Sequence, residues 1–407
     1  MLINKYTCTN GVRVVMEEMP NVRSVTIGVW VLTGSRNEKA QNNGISHFIE
    51  HMFFKGTTTR SAKQIAESFD SIGGQVNAFT SKEYTCYYAK VLDTYASKAL
   101  DVLADMFFDS AFDPEEIERE KKVVLEEIKM CEDAPDDIVH DVLAEASYGS
   151  HPLGFPILGT EETVNSFTQE VLTDYIDRHY IPENVVVSVA GNIDESFFKQ
   201  VDAKFGYYTS EYQPSVMEKP VFHAEQLQRF KDTEQAHLCI GYEGLPVLHE
   251  GIYSLVVLNN VLGGSMSSRL FQEVREQKGL AYSIFSFHSS HLDNGMLTIY
   301  GGTGKDQLPL LQDTIEHTVQ QMRKNGLTDK ELKNSKEQLK GNMMLGLEST
   351  NSRMSRNGRN ELLIKRHRSL DEIISHIDAV THETVLDVFN HVFNHGQSSA
   401  IISPHTS

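Results

Sequence analysis

ISHFIEHMFFKGT, residues 45–57, sets two histidines and a glutamate inside a run whose other members are mostly apolar. Read as a helix, the run puts His47 and His51 four positions apart, on one face, where both imidazoles reach a single point. Each residue turns about 100° around the axis, so Glu50 stands about 60° from His47 and about 100° from His51. It can flank that point without occupying it. The same three residues would also serve as the polar end of a core helix, so the rest of the chain must decide between the two readings.

With 407 residues the chain has material for about two large domains. Its 37 basic and 56 acidic residues leave a formal net charge of -19, which argues against nucleic acid or an anionic membrane as partner. Cys8, Cys86, Cys131 and Cys239 are scattered, with no C-x-x-C pair, so neither a disulfide framework nor a thiolate zinc site is expected. The start, MLINKYTCTNGVRVV, lacks a basic segment leading into an apolar one, and no stretch approaches a membrane span. These features predict a soluble, cytoplasmic protein.

Two strand-like runs, VRVVMEE and SVTIGVWVLT, precede the motif, the second alternating Val25, Ile27, Val29 and Val31 on one face. After it, SAKQIAESFDSIGG reads as a helix stopped by Gly73 and Gly74, and QVNAFTSKEYTCYYAKVL as β-rich. Helices are expected near 93–109, 113–133 and 135–148, the second opened by Asp113 as N-cap, with Pro114 and Glu116 behind it. A helix near 167–179, the strand NVVVSVAG and a helix from Ile193 to Phe205 end a first half, residues 1–205. The aperiodic segment 206–228 is the expected linker.

Residues 229–407 repeat the order: a strand AHLCIGYEG, a helix with IYSLVVLNNVLGG, SSRLFQEVREQKG, strands AYSIFSF and GMLTIYGG, long helices and a final strand SAIIS. With Lys55-Gly56-Thr57 laid on Gly263-Gly264-Ser265, Leu258 and Asn259 fall where Glu50 and His51 stand. The fold predicted is α+β, two duplicated half-units, each a mostly antiparallel sheet packed with helices, of which only the first kept the polar cluster.

Two imidazoles that hold zinc, beside a carboxylate that moves a proton from a zinc-activated water to the leaving amine, are what a metallopeptidase needs. The order H-x-x-E-H is that of the inverted zincins. A catalytic zinc usually takes a third protein ligand. EREKKVVLEEIKM offers Glu120 and Glu127 seven apart on one helix face, with Val123 and Val124 expected on the packing side. GGTGKDQ, residues 301–307, is not a P-loop, since Ile299 and Asp306 stand where Gly and Ser/Thr are required.

HFIEHMFFKGT, followed 76 positions after His51 by Glu127 in VVLEEI, resembles the pitrilysin-type inverted zinc peptidases. The similarity continues through NAFTSKEYTCYY, HPLGFPILGTEE, SVAGNID and SSRLFQEVREQKGLAYS, and is strongest to the branch containing the zinc-bearing subunit of mitochondrial processing peptidase and its bacterial two-domain homologues. The resemblance implies a zinc endopeptidase acting on peptides or unstructured segments, with His47, His51 and Glu127 as ligands, Glu50 as general base and Glu120 as a supporting carboxylate. It further implies that the strand with Asn77 and Ala78 receives an extended peptide by strand addition. Arg275 and Tyr282 match the family's pair that bonds substrate and developing oxyanion. Asp137 and Asp141, one helical turn apart, match acids that hold a substrate arginine, although a solvated helix face would look the same. A homodimer in which the second half of one chain completes the site of the other is the assembly expected. The alternative is a non-catalytic or peptide-binding subunit of the same fold that needs a partner chain.

Overall fold

The computed structural model describes residues 3–404. The chain up to Lys129 forms one compact unit with Phe155–Met217 and Leu345–His367, and Met130–Gly154, Glu218–Met344 and the chain from Arg368 form a second.

In the first unit the strands are β1 (Ile3–Thr7), β2 (Arg13–Glu18), β3 (Ser24–Val31), β4 (Gln75–Thr80), β5 (Thr85–Leu92) and β6 (Val185–Gly191), in sheet order β1-β2-β6-β3-β5-β4. All neighbours are antiparallel except β2 and β6. Between β3 and β4 lie α1 (Ile45–Met52) and α2 (Ala62–Asp70); α3 (Ala96–Asp109) and α4 (Pro114–Asp133) follow β5. After α5 (Pro135–Tyr148), which belongs to the second unit, come α6 (Glu161–Ser166), α7 (Gln169–His179) and α8 (Phe197–Phe205). Val25, Ile27, Val29 and Val31 face a core shared with Phe48, Ile49, Leu103 and Phe107.

The alternation read from β3 is only half of its burial. Thr26 and Trp30, on the opposite face, are buried too. What covers them is α12 (Thr350–Leu363), drawn from the second half of the sequence: Met354 and Leu362 pack with Trp30, Val15 and Val186. Trp30 Nε1 donates to Met354 Sδ at 3.3 Å, and Asn357 Nδ2 donates to the buried Glu17 at 2.7 Å.

The second unit contains β7 (Gln226–Phe230), β8 (Gln235–Glu243), α9 (Ile252–Leu262), β9 (Ala281–Ser290), β10 (Gly295–Gly304), α10 (Leu308–Asn325), α11 (Asp329–Gly346, whose last residues fall in the first unit), α13 (Leu370–Asp378), α14 (His382–Phe393) and β11 (Ser398–Ser403). Its sheet runs β7-β11-β8-β10-β9, with only β7 and β11 parallel. Set against the first sheet, β7, β11, β8, β10 and β9 take the places of β2, β6, β3, β5 and β4, pairing for pairing. Two mixed sheets of one topology are therefore present, the α+β architecture expected. The helix laid on the free face of this sheet is α5, through Val139, Val142 and Leu143 against Cys239, Tyr300 and Ala400.

Some expectations need revision. Segments 130–154 and 345–367 exchange between units, and β7 begins inside the segment read as a linker. Val124 is fully buried on α4, but Val123, about 100° round the helix from it and at the edge of the face that carries Glu120 and Glu127, is 49% exposed. The helix expected near 167–179 is α7, starting at Gln169, with the short α6 ahead of it, and the one expected from Ile193 starts at Phe197. Part of SSRLFQEVREQKG winds as a π-helical turn, Phe271–Gln277. Asp113 does cap α4, accepting from the Glu115 and Glu116 amides at 2.8 and 3.2 Å. No helix among the described residues is long and apolar enough to cross a membrane.

Gly358 tests the seating of α12. A Cβ built there would lie 2.3 Å from Trp30 Nε1. Helix propensity alone would make Gly358→Ala stabilising by about 1 kcal/mol; the clash predicts instead a loss of about 1–3 kcal/mol. Urea unfolding decides the sign, and a variant as stable as wild type or more so would refute this packing.

Candidate metal centre

The helix α1 that carries the motif is only eight residues long. Its N-cap is Gly44 at φ +90°, where a Cβ would come within 2.6 Å of Leu158 O, so the cap residue itself offers no side chain. The capping acceptor comes from six positions upstream. The carboxylate of Glu38, 2% exposed, accepts from the amides of Gly44 at 2.7 Å and Ser46 at 2.9 Å and from Asn43 Nδ2 at 2.9 Å. Burial pushes the Glu38 pKa up, and those donors work in the other direction. At its other side Ser46 Oγ meets Tyr175 Oη at 3.0 Å, which ties the first turn to α7.

From this anchored turn His47 and His51 project together, their ring centroids 4.5 Å apart. Glu127, one face of α4 supplying both it and Glu120, brings Oε2 to 3.7 Å from His47 Nε2 and 3.5 Å from His51 Nε2. These separations are long for hydrogen bonds. They match the spacing of about 3.3–3.5 Å between donors that share a tetrahedral ion at zinc–ligand distances. Among the described residues, this is the one group of three or more such side chains whose ligand atoms converge in this way.

The surroundings prepare those donors. His51 Nδ1 bonds Glu120 Oε1 at 2.7 Å, and Glu120 Oε2 pairs with Lys55 Nζ at 2.5 Å. A carboxylate on the far nitrogen of a ligating imidazole fixes its tautomer and orientation. Glu120 is 3% exposed, yet its pKa is lowered, since the bonds from His51 and Lys55 outweigh its desolvation. For His51 burial opposes charge, but the bond to Glu120 and the fields of Glu120, Glu127 and Glu50 raise the pKa overall. His47 goes the opposite way: burial first, then repulsion from His51, takes its pKa down to about 3, so at neutral pH it presents a lone pair. Glu50 lies beside the pair and takes a hydrogen bond from Thr80 Oγ1 at 2.5 Å; burial raises its pKa, with Thr80 and His51 pulling against that. The residues present therefore fit a divalent cation of zinc type.

Five of the residues singled out in the sequence, His47, Glu50, His51, Glu120 and Glu127, are thus brought together. Asn77 and Ala78 lie on β4, an edge strand, whose last residue is the Thr80 that touches Glu50. Arg275 and Tyr282 meet in the second unit: the guanidinium lies 4.8 Å from the Phe271 ring and 4.6 Å from the Tyr282 ring, and Nη1 donates to Tyr282 O at 3.0 Å. The Tyr282 side chain is left 78% exposed. Asp137 and Asp141 stand on α5, also in the second unit, flanking His140. Glu38, Lys55 and Thr80 escaped the sequence reading. Lys55 had a signal, four residues beyond His51; Glu38 and Thr80 had none in spacing.

A model of the insulinase family, peptidase family M16, matches residues 13–161, and one of the peptidase M16 inactive domain matches 166–339. The chain is 63% identical to the uncharacterized zinc protease YmxG of Bacillus subtilis, covering 99% of this chain and 98% of that one. It is 40% identical to an uncharacterized zinc protease of Streptomyces coelicolor, over 99% and 90% of the two chains. A crystal structure of a protease from Helicobacter pylori superposes with a TM-score of 0.92 at 22% identity, covering 99% of each chain, and so shares the fold.

The opposite shifts of the two histidines make a prediction about pH. His51, with its raised pKa, is the imidazole whose proton competes with the cation, while His47 at about 3 is already unprotonated. As pH falls through the His51 pKa, zinc affinity should drop by about tenfold per unit, one proton per ion. Chelator competition from pH 5.5 to 7.5 measures the slope. A drop of about a hundredfold per unit would mean that both imidazoles titrate and would remove the neutral assignment of His47.

Proposed function

The chain belongs to peptidase family M16, and from that membership we propose that it is a zinc-dependent endopeptidase that hydrolyses peptides or unstructured polypeptide segments. The observation that carries this reading is the convergence of His47, His51 and Glu127 on one point, with the Glu50 carboxylate at its side. Zinc, when held there, supplies the Lewis acidity that makes water an effective nucleophile near neutral pH. Glu50 takes the proton of the attacking water and passes it to the leaving amine, a task suited to a carboxylate whose pKa burial has raised. Glu120 and Lys55 keep His51 in the orientation and tautomer needed for ligation. No acyl-enzyme is formed.

Substrate is proposed to add as a strand to β4, beside Asn77 and Ala78, because β4 is an edge of the sheet and ends at Thr80, which bonds Glu50. Main-chain recognition of this kind tolerates many sequences and requires an extended chain. Arg275 and Tyr282 are proposed as the donors to the tetrahedral oxyanion. The exposure of Tyr282 and the pre-set guanidinium suit that role. We assign them to the partner chain of a homodimer, so that each site is completed in trans. Asp137 and Asp141 would then favour substrates with an arginine near the cut. Four free cysteines, three of them buried, suit a cytoplasmic, reducing compartment.

Glu50→Gln should leave zinc stoichiometric while turnover of an unstructured peptide falls by about 10²–10⁴-fold. Metal analysis and a fluorogenic assay on one preparation check both, and a variant that still turns over normally would remove Glu50 as base. Completion in trans predicts that mixed dimers of Glu50→Gln and Tyr282→Phe chains regain activity that neither homodimer has. Silent mixed dimers, verified by differential tagging, would refute it.

A further inference from the structure

The general base has one side-chain contact that nothing in the reaction so far explains. Among the described residues, the hydroxyl of Thr80 is the hydrogen-bond donor to the Glu50 carboxylate, at 2.5 Å. We propose that Thr80 is a positioning residue, and that the β4–β5 hairpin carrying it couples peptide docking on β4 to the aim of Glu50. This rests on Glu50 as the base and on β4 as the docking edge.

A glutamate side chain has three rotatable bonds, and Glu50 is placed at the exit of a short helix, so its own backbone leaves the carboxylate free to swing. A single short, charge-assisted bond to a stiff partner decides where it points. Thr80 is such a partner. It is β-branched, with restricted χ1, and it closes an edge strand paired Thr80 to Thr85 in the hairpin register. Its Oγ1 is 3.4 Å from Thr85 Oγ1, which in turn donates to Thr33 O at 2.9 Å.

The turn beyond Thr80 is pinned far more firmly than a surface hairpin requires. Ser35 and Arg36 donate their amides to Ser81 O and Lys82 O at 3.2 and 2.7 Å. Arg36 Nη1 meets Glu83 Oε1 at 2.6 Å, the two side chains being 1% and 2% exposed. Gly34 permits the approach, since a Cβ on it would sit 2.2 Å from Ser81 O. A buried ion pair adds little net stability over an apolar substitute, but removing either partner strands a charge, so it enforces one arrangement. Here the arrangement enforced is that of the turn next to Thr80. The opposite edge of β4 pairs with no strand among the described residues. A peptide adding there stiffens the strand whose last side chain holds the base, so docking and alignment of Glu50 become one event.

Thr80→Val removes the hydroxyl at nearly constant shape, and Thr80→Ser restores it. With a fluorogenic unstructured peptide, Thr80→Val is expected to lower kcat by about 10- to 100-fold with KM within about twofold. Zinc affinity by chelator competition and the melting temperature should stay at wild-type values, and Thr80→Ser should recover most of kcat. The proposal is overturned by wild-type kcat in Thr80→Val, by a rise in KM alone, or by Thr80→Ser being as impaired as Thr80→Val, which would assign the effect to packing of the methyl group. Active Glu50→Gln would instead fail the base assignment itself, whatever Thr80 does.

Discussion

The buried carboxylate of Glu38 holds the first turn of α1, and the site depends on that turn staying where it is. A helix of eight residues has too few internal hydrogen bonds to persist in water. Here it must also present two imidazoles and a carboxylate to fixed points while Phe48, Ile49 and Met52 bury on the other side. Apolar packing can fix the height and roll of such a helix, but it is non-directional and leaves the free amides at its start unpaired. Glu38 supplies the missing direction. It accepts from two of those amides and meets no cation among the described residues, so the positive end of α1 and the Asn43 amide are what compensate its charge.

The charges farther along α1 follow from this placement. His47 points where burial is deep and no carboxylate bonds it, so it stays neutral. One turn on, His51 is less deeply buried and finds Glu120, which is itself balanced by Lys55, and burial no longer prevents protonation. Two identical side chains four residues apart therefore receive opposite shifts, His47 from burial and from His51, His51 from the carboxylates around it. Glu127, the more exposed acid, closes the triangle without being locked into a hydrogen bond with either ring.

Much of this was legible in the sequence because it depends on local periodicity. The four-residue spacing of the histidines, the seven-residue spacing of Glu120 and Glu127, and the Asp113 start signal each translate directly into helix geometry. What was not legible depends on partners distant in sequence. The β3 alternation named one buried face and missed Thr26 and Trp30, because their cover arrives more than 300 residues later on α12. Val123 was misplaced for a smaller reason: 120, 123, 124 and 127 all fit the i, i+3, i+4, i+7 pattern of one helix face, and that pattern does not say where along the face burial ends. Thr80 looked like an ordinary strand former; only the pairing of β4 with β5 and the docking of the hairpin on Ser35 and Arg36 bring it to Glu50.

The second half shows what the same scaffold does without the polar cluster. Between β8 and β9, as between β3 and β4, a helix packs on the sheet, and Leu255 and Leu258, both fully buried, stand at the places of His47 and Glu50. Asn259, at the place of His51, spends its Oδ1 on Ser286 Oγ at 2.8 Å, a link within the unit. Leucines at these positions need no Glu38, no Lys55 and no counter-acid, since burying them is favourable outright. Burying an imidazole pair and three carboxylates in the first half is unfavourable unless each is matched. The cap on α1, the Glu120 bridge and the Thr80 bond are those matches, and their restriction to the half with the histidines indicates that they serve the site and not the fold.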